Sequence, residues 1–173
     1  IYSAHTFGVS LRVMFQDMQR ANFIGRSLDQ LLQDGVRMAY DKHNDENVYV
    51  GLGEYGTTGL INNPDVTVST VADGGTSKNG NWATKTPEEI LADVNTALTE
   101  TWAQAEYDLS AIPNHILLPY EEYTYIMNTP VSSLATKSIY QYIKENNITD
   151  ANGGDLYIGA TTWCKGAGTG GVD

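Results

Sequence analysis

Apolar residues recur at helical intervals for longer between positions 28 and 49 than anywhere else in the chain. Leu28, Leu31, Leu32, Val36, Ala39 and Tyr40 fall on one stripe, while Asp29, Asp34, Arg37 and Asp41 lie largely off it. The pattern predicts an amphipathic helix of roughly 30 Å at about 1.5 Å per residue, which needs a long surface to lie on. Ser27 is placed to cap its first turn. Upstream, residues 2–9 read as a short β segment. Residues 10–22 read as a shorter helix, with Leu11, Phe15 and Met18 at helix spacing and Gly25 interrupting it.

Beyond the long helix comes the glycine-rich stretch "GLGEYGTTGLINNPDV", then "DVTVSTV" (residues 65–71), whose alternating character predicts a β segment. Residues 72–85, "ADGGTSKNGNWATK", read as an exposed polar loop, long at about 14 residues for a compact domain. The loop ends at a strong helix start. Thr86 is the cap, Pro87 the first helical residue, and Glu89 completes a Thr-x-x-Glu capping box. Ile90, Leu91, Val94, Leu98, Trp102 and Ala105 give that helix its apolar side. "NHILLP" (114–119) predicts a buried-type strand between Pro113 and Pro119. "YEEYTYIM" predicts a short helix broken at Thr129-Pro130, "TKSIYQYIKENN" another helix, and "GGDLYIGATTW" a closing strand. The second half therefore predicts a mixed α/β layer.

Charge narrows the partners. Lys and Arg total 10 against 21 Asp plus Glu in 173 residues, a net charge of −11. Gripping nucleic acid needs a basic face, so wholesale phosphate binding is disfavoured, as is an acidic membrane surface. No apolar run approaches the ~20 residues that span a bilayer. The one cysteine, Cys164, leaves no internal disulfide and points to a reducing compartment. The chain opens in mid-pattern without an initiator Met and stops in "GAGTGGVD", and is read as a fragment.

Candidate chemistry is sparse. Gly51, Gly53 and Gly56 match the dinucleotide fingerprint G-x-G-x-x-G. A phosphate cradle, however, follows a strand and opens a helix. Here a helix precedes it, Pro64 opposes helix propagation after it, and Glu54 adds a negative charge inside it. A bend that needs glycine is the better reading. His5, His43 and His115 have no His or Cys partner at metal-ligand spacing. Cys164 reads as a lone buried thiol rather than a nucleophile, because no paired His is identifiable. The doublets Glu88-Glu89 and Glu121-Glu122 sit near helix starts, where carboxylates meet the positive end of the helix dipole. Tyr120, Tyr123, Tyr125, Tyr140 and Tyr142 suit either a stacking platform or a packed protein surface, and the second is favoured. No catalytic, cofactor or metal residues emerge.

The order of these features carries more than any single motif. A β segment, a short helix, a long striped helix, the loop with "GLINNP", the capped helix "TPEEILADVNTAL" and the phrase "GGDLYIGATTW" succeed one another. This succession resembles the major capsid proteins of tailed bacteriophages and prophages, the Hong Kong 97-type fold that encapsulin shells share. The resemblance implies an α+β fold with a long spine helix at about 28–49 and a mixed α/β axial domain. Residues 1–66 would be part of the peripheral domain with its glycine bend, and residues 67–173 the axial domain. It further implies a non-enzymatic shell protein that associates with itself as pentamers and hexamers around DNA it does not read. Scaffolding, portal or decoration proteins are further expected partners, no cofactor or membrane is expected, and the place is the virion, after assembly in the host cytoplasm. The N-terminal arm, extended hairpin and last peripheral strands of that fold find no counterpart in the sequence. An encapsulin-like compartment and a tyrosine-rich carbohydrate-binding or hydrolytic domain are the alternatives.

Overall fold

The long apolar stripe folds as a helix with the expected bounds, Leu28–Tyr49, here α2. It is preceded by α1, Phe15–Ile24, which packs against it. The computed structural model describes residues 6–24, 28–134 and 136–167, with the backbone alone at 21–24, 28, 29 and 31. The expected break at Gly25 and cap at Ser27 lie outside these. The chain divides into two compact units, Ile1–Asn63 and Pro64–Asp173.

Two N-terminal expectations are corrected. Residues 6–9 form no strand, and the first helix begins at Phe15 rather than at Ser10. The reason is visible in the spacing. Phe7, Val9, Leu11 and Val13 alternate with period two, the geometry of extended chain rather than of helix. Phe7, Val9 and Leu11 line one hollow of about 390 Å³ along α2, with Val36 and Tyr40. A strand additionally needs a laddered partner. No backbone group of residues 6–13 bonds another backbone group among the described residues. The first unit is also thinly packed. Its only buried described residues are Gly51 and Gly59, while Phe15 and Met38 are 70% and 73% exposed.

The second unit holds the core. Helix α3, Pro87–Gln104, starts as expected: Thr86 Oγ1 accepts the Glu89 N–H at 3.3 Å, and Glu89 Oε2 accepts the Thr86 N–H at 2.8 Å. Ile90, Val94 and Leu98, four residues apart along α3, are buried. They meet Ile126 of α4 (Tyr120–Asn128), Ile139 and Ile143 of α5 (Ile139–Glu145), and Leu156 and Ile158. Strands β1 (His115–Leu118) and β2 (Tyr157–Ala160) pair in parallel, His115 opposite Tyr157 and Leu118 opposite Ala160. A parallel pair requires a crossover, and α4, α5 and a short helix α6 (Ile148–Ala151) supply it.

Three departures have local causes. Residues 65–71 form no strand, because residues 66–71 make no backbone–backbone hydrogen bond among the described residues. Helix α5 starts only at Ile139, since Pro130 and Ser138 form an antiparallel bridge and Ser138 caps the helix. Helix α6 is an addition. Buried Asn147 supports it, accepting the Asp150 N–H at 2.8 Å and donating to the carbonyls of Ile143 and Lys144 at 3.0 and 2.7 Å.

Candidate functional site

The glycine-rich stretch after α2 is a closed bend. The last turn of a helix leaves its carbonyls without intrahelical partners. Here the returning chain supplies them: the Leu60 and Ile61 N–H groups donate to the carbonyls of Val48 and Tyr49 at 2.9 and 3.1 Å. Asn62 completes the closure, its Nδ2 donating to Val50 O at 2.7 Å while its Oδ1 accepts the Gly59 N–H at 2.6 Å. The Thr57 hydroxyl both accepts the Leu52 N–H at 2.8 Å and donates to Leu52 O at 3.2 Å.

Two glycines are required by close approach, and a third, Gly56, has a left-handed φ of +67°. Gly51 has φ +79°, and a Cβ there would lie 2.5 Å from Thr57 O; a Cβ on Gly59 would overlap the Tyr49 carbonyl. Gly53, the middle glycine of the fingerprint, has open space around it. The stretch thus lies at the carbonyl end of α2, the negative pole of a helix, and the Leu52 and Gly59 N–H groups are already engaged. The geometry opposes an anion and fits a bend.

The second constellation joins the loop 72–85, exposed over most of its length as expected, to α3 through its buried last residue. The side chains of Lys85 and Asp93 are 1% and 8% exposed, with Lys85 Nζ 2.6 Å from Asp93 Oδ2. Lys85 Nζ also donates to Ala72 O at 2.6 Å, and Trp82 Nε1 donates to the same Asp93 oxygen at 3.0 Å. One lysine therefore ties the start of the loop to the helix beneath its end. Glu89 Oε1 accepts the Gly75 N–H at 3.1 Å, and Gly74 and Asn79 form an antiparallel bridge nearer the tip. The N–H groups of Thr86 and Gly75 hold the Glu89 carboxyl below its ordinary range. The loop is a clasp with a fixed base. Glu89 was legible as a capping residue, but Lys85, Asp93 and Trp82 were not, since their meeting depends on the path of the loop.

The remaining candidates separate. His5 lies outside the described residues. The rings of His43 and Phe7 stack at 3.8 Å between centroids, and His115 lies beside Tyr157 at 5.2 Å. Cys164 is half-buried rather than buried, with Leu117 O at 3.9 Å from Sγ. Glu121 pairs with Lys165, whereas Glu122 Oε2 is buried with no hydrogen-bond partner among the described residues. Tyr123, Tyr125 and Tyr140 pack against the core, with Tyr123 and Tyr140 edge to face at 6.0 Å. Tyr120 alone of the five is largely exposed, at 55%. The tyrosines flank a hydrophobic core and do not make an open stacking platform.

The bend and the clasped loop are features of the fold, and the class of protein comes from comparison with known families. The family model described as "Major capsid protein" matches residues 2–173. The chain belongs to the major capsid protein family. Among solved structures, the fold is similar to that in "The capsid of Myoviridae Phage XM1". The TM-score is 0.61 at 17% sequence identity, over 86% of this chain and 47% of that one. The chain therefore spans about half the length of that relative. No curated protein matches it.

Proposed function

We propose that this chain is the axial domain and part of the peripheral domain of a Hong Kong 97-type capsid subunit, with residues 67–173 axial and residues 1–66 peripheral. The observation that carries this reading is the succession of a 22-residue helix, a closed glycine bend and a separately cored α+β unit, in a chain of the capsid family. In this assignment α2 is the spine of the peripheral domain, and the bend turns the chain out of it. The axial units gather as pentamers and hexamers, and the clasped loop 72–85 is presented towards neighbouring copies around those axes.

The mechanism is repetition of one interface. Head-to-tail contacts close into rings when the rotation closes, and curvature between rings closes the shell. A fixed loop loses little conformational freedom on contact, which favours association. The net charge of −11 suits a shell that encloses DNA without gripping it. The place of action is the virion, after assembly in the cytoplasm of the bacterial host.

Sedimentation and negative-stain imaging of the full-length gene product test the reading. Hollow shells or regular five- and six-fold rings are expected, with nucleic acid as cargo in particles from infected or induced cells. A protein that stays a monodisperse monomer across salt and pH would overturn it. An enzyme cargo would move the reading to a compartment shell.

A further inference from the structure

Two segments of this chain have the sequence of a strand but lack its ladder. Residues 66–71, "VTVSTV", are β-branched at five of six positions, and residues 7–13 alternate apolar Phe7, Val9, Leu11 and Val13. Neither segment makes a backbone–backbone hydrogen bond among the described residues. In the first, Ser69 Oγ donates to Glu100 Oε2 of α3 at 2.7 Å and Val71 lies against Gly80, yet all six residues are exposed, Val66, Val68 and Val71 at 49%, 71% and 40%. Such an edge is a template for another strand.

We propose that residues 66–72 of one copy and residues 6–13 of a second copy pair as β-strands when the shell assembles. The inference rests on the shell reading above and names one of its contacts. Charge selects the occupant. Pairing 66–72 with itself, antiparallel about Ser69, sets Asp65 against Asp73 at both ends, and like charges facing across strands are destabilising. Residues 6–13 carry one charge, Arg12, opposite in sign to the aspartates that flank 66–72. Their side chains Phe7, Val9 and Leu11 already lie along α2, which leaves the backbone edge to pair. Pairing gives both rows of amide groups the partners that strands require.

Hydrogen exchange of the full-length gene product, compared between dissociated subunits and assembled shells, is the test. The alternate amides of 67–72 and 7–13 that face the partner strand are expected to exchange freely in subunits and to slow by about 100-fold or more in shells. Shells in which 67–72 stays unprotected overturn the pairing and leave the shell reading standing; failure to form any shell overturns both. The partner is identified in a Cys164→Ser background by mixing Val68→Cys subunits with subunits carrying Phe7→Cys, Val9→Cys or Leu11→Cys. A disulfide between the two kinds of subunit in shells is expected. Dominant Val68→Cys homodimers, or protection without any mixed disulfide, overturn the assignment of the partner. Val68→Pro removes one strand donor and is expected to lower shell yield at least tenfold with unchanged subunit melting; unchanged yield overturns the pairing.

Discussion

Lys85 Nζ sits 2.6 Å from Asp93 Oδ2, with both side chains nearly removed from solvent. Taking one partner from a buried pair leaves the other charge uncompensated, at a cost of roughly 3–5 kcal/mol. Asp93→Ala is therefore expected to destabilise the second unit by that order and to loosen the loop, because Trp82 Nε1 loses its acceptor too. The double variant Lys85→Met, Asp93→Leu should recover much of the loss. Denaturant melts of the two variants check this; equal losses in both would refute the pair as the source.

The acid limb of stability should run partly through Glu89. Its folded carboxyl is held below the ordinary 4.5 by the N–H groups of Thr86 and Gly75. The sign follows from linkage. The contribution is fully present above the unfolded value and is lost as pH falls through the folded one. Glu89→Gln keeps a capping-box residue but cannot titrate. Its melting temperature should fall less steeply than the parent's below pH 4.5, and parallel acid limbs would count against this account.

Glycine substitutions distinguish a bend from a phosphate loop. Gly53→Ala meets open space and should leave melting within about 1 kcal/mol of the parent. Gly51→Ala must hold φ +79° beside Thr57 O, and should cost about 1–2 kcal/mol for the left-handed backbone alone. Gly59→Ala should be worse still, because its Cβ meets backbone. Comparable losses at Gly53 and Gly51 would contradict the bend.

Asn147 has three hydrogen bonds at the join of α5 and α6, with only 2% of its surface exposed. Asn147→Ala leaves two carbonyls and one amide without their partner. A loss of about 2–3 kcal/mol is expected, and urea titration measures it. A change under 0.5 kcal/mol would mean that solvent replaces the side chain without penalty.

What was legible in the chain was local. The body of α2 follows from the stripe Leu28 to Tyr40, and the start of α3 from Thr86 and Glu89, whose side chains each satisfy the other's backbone N–H. His115–Leu118 and Tyr157–Ala160 were readable as strands, but their parallel pairing joins residues 42 apart. The illegible parts depend on partners. Residues 65–71 have strand-forming side chains, yet a strand exists only where a ladder does. The tyrosines were readable as a group, but their inward packing is decided by Ile126 and Ile143, which set the core they cover. The same holds for the clasp: Lys85 is a charged residue in a polar run, and only the fold sets Asp93 beneath it.

Asn62 grips Val50 O with one end of its amide and the Gly59 N–H with the other, so the path of the bend is keyed to the last turn of α2. A helix advances about 100° per residue. One residue inserted within α2 would leave every bond of the bend intact and yet swing its exit by about 100° around the helix axis. Seven residues, close to two whole turns, would nearly restore it. The bend therefore works as an index mark on a shaft. Length changes in α2 should survive among relatives only in steps that keep the phase, and the stripe facing the helix's own support must keep step with them.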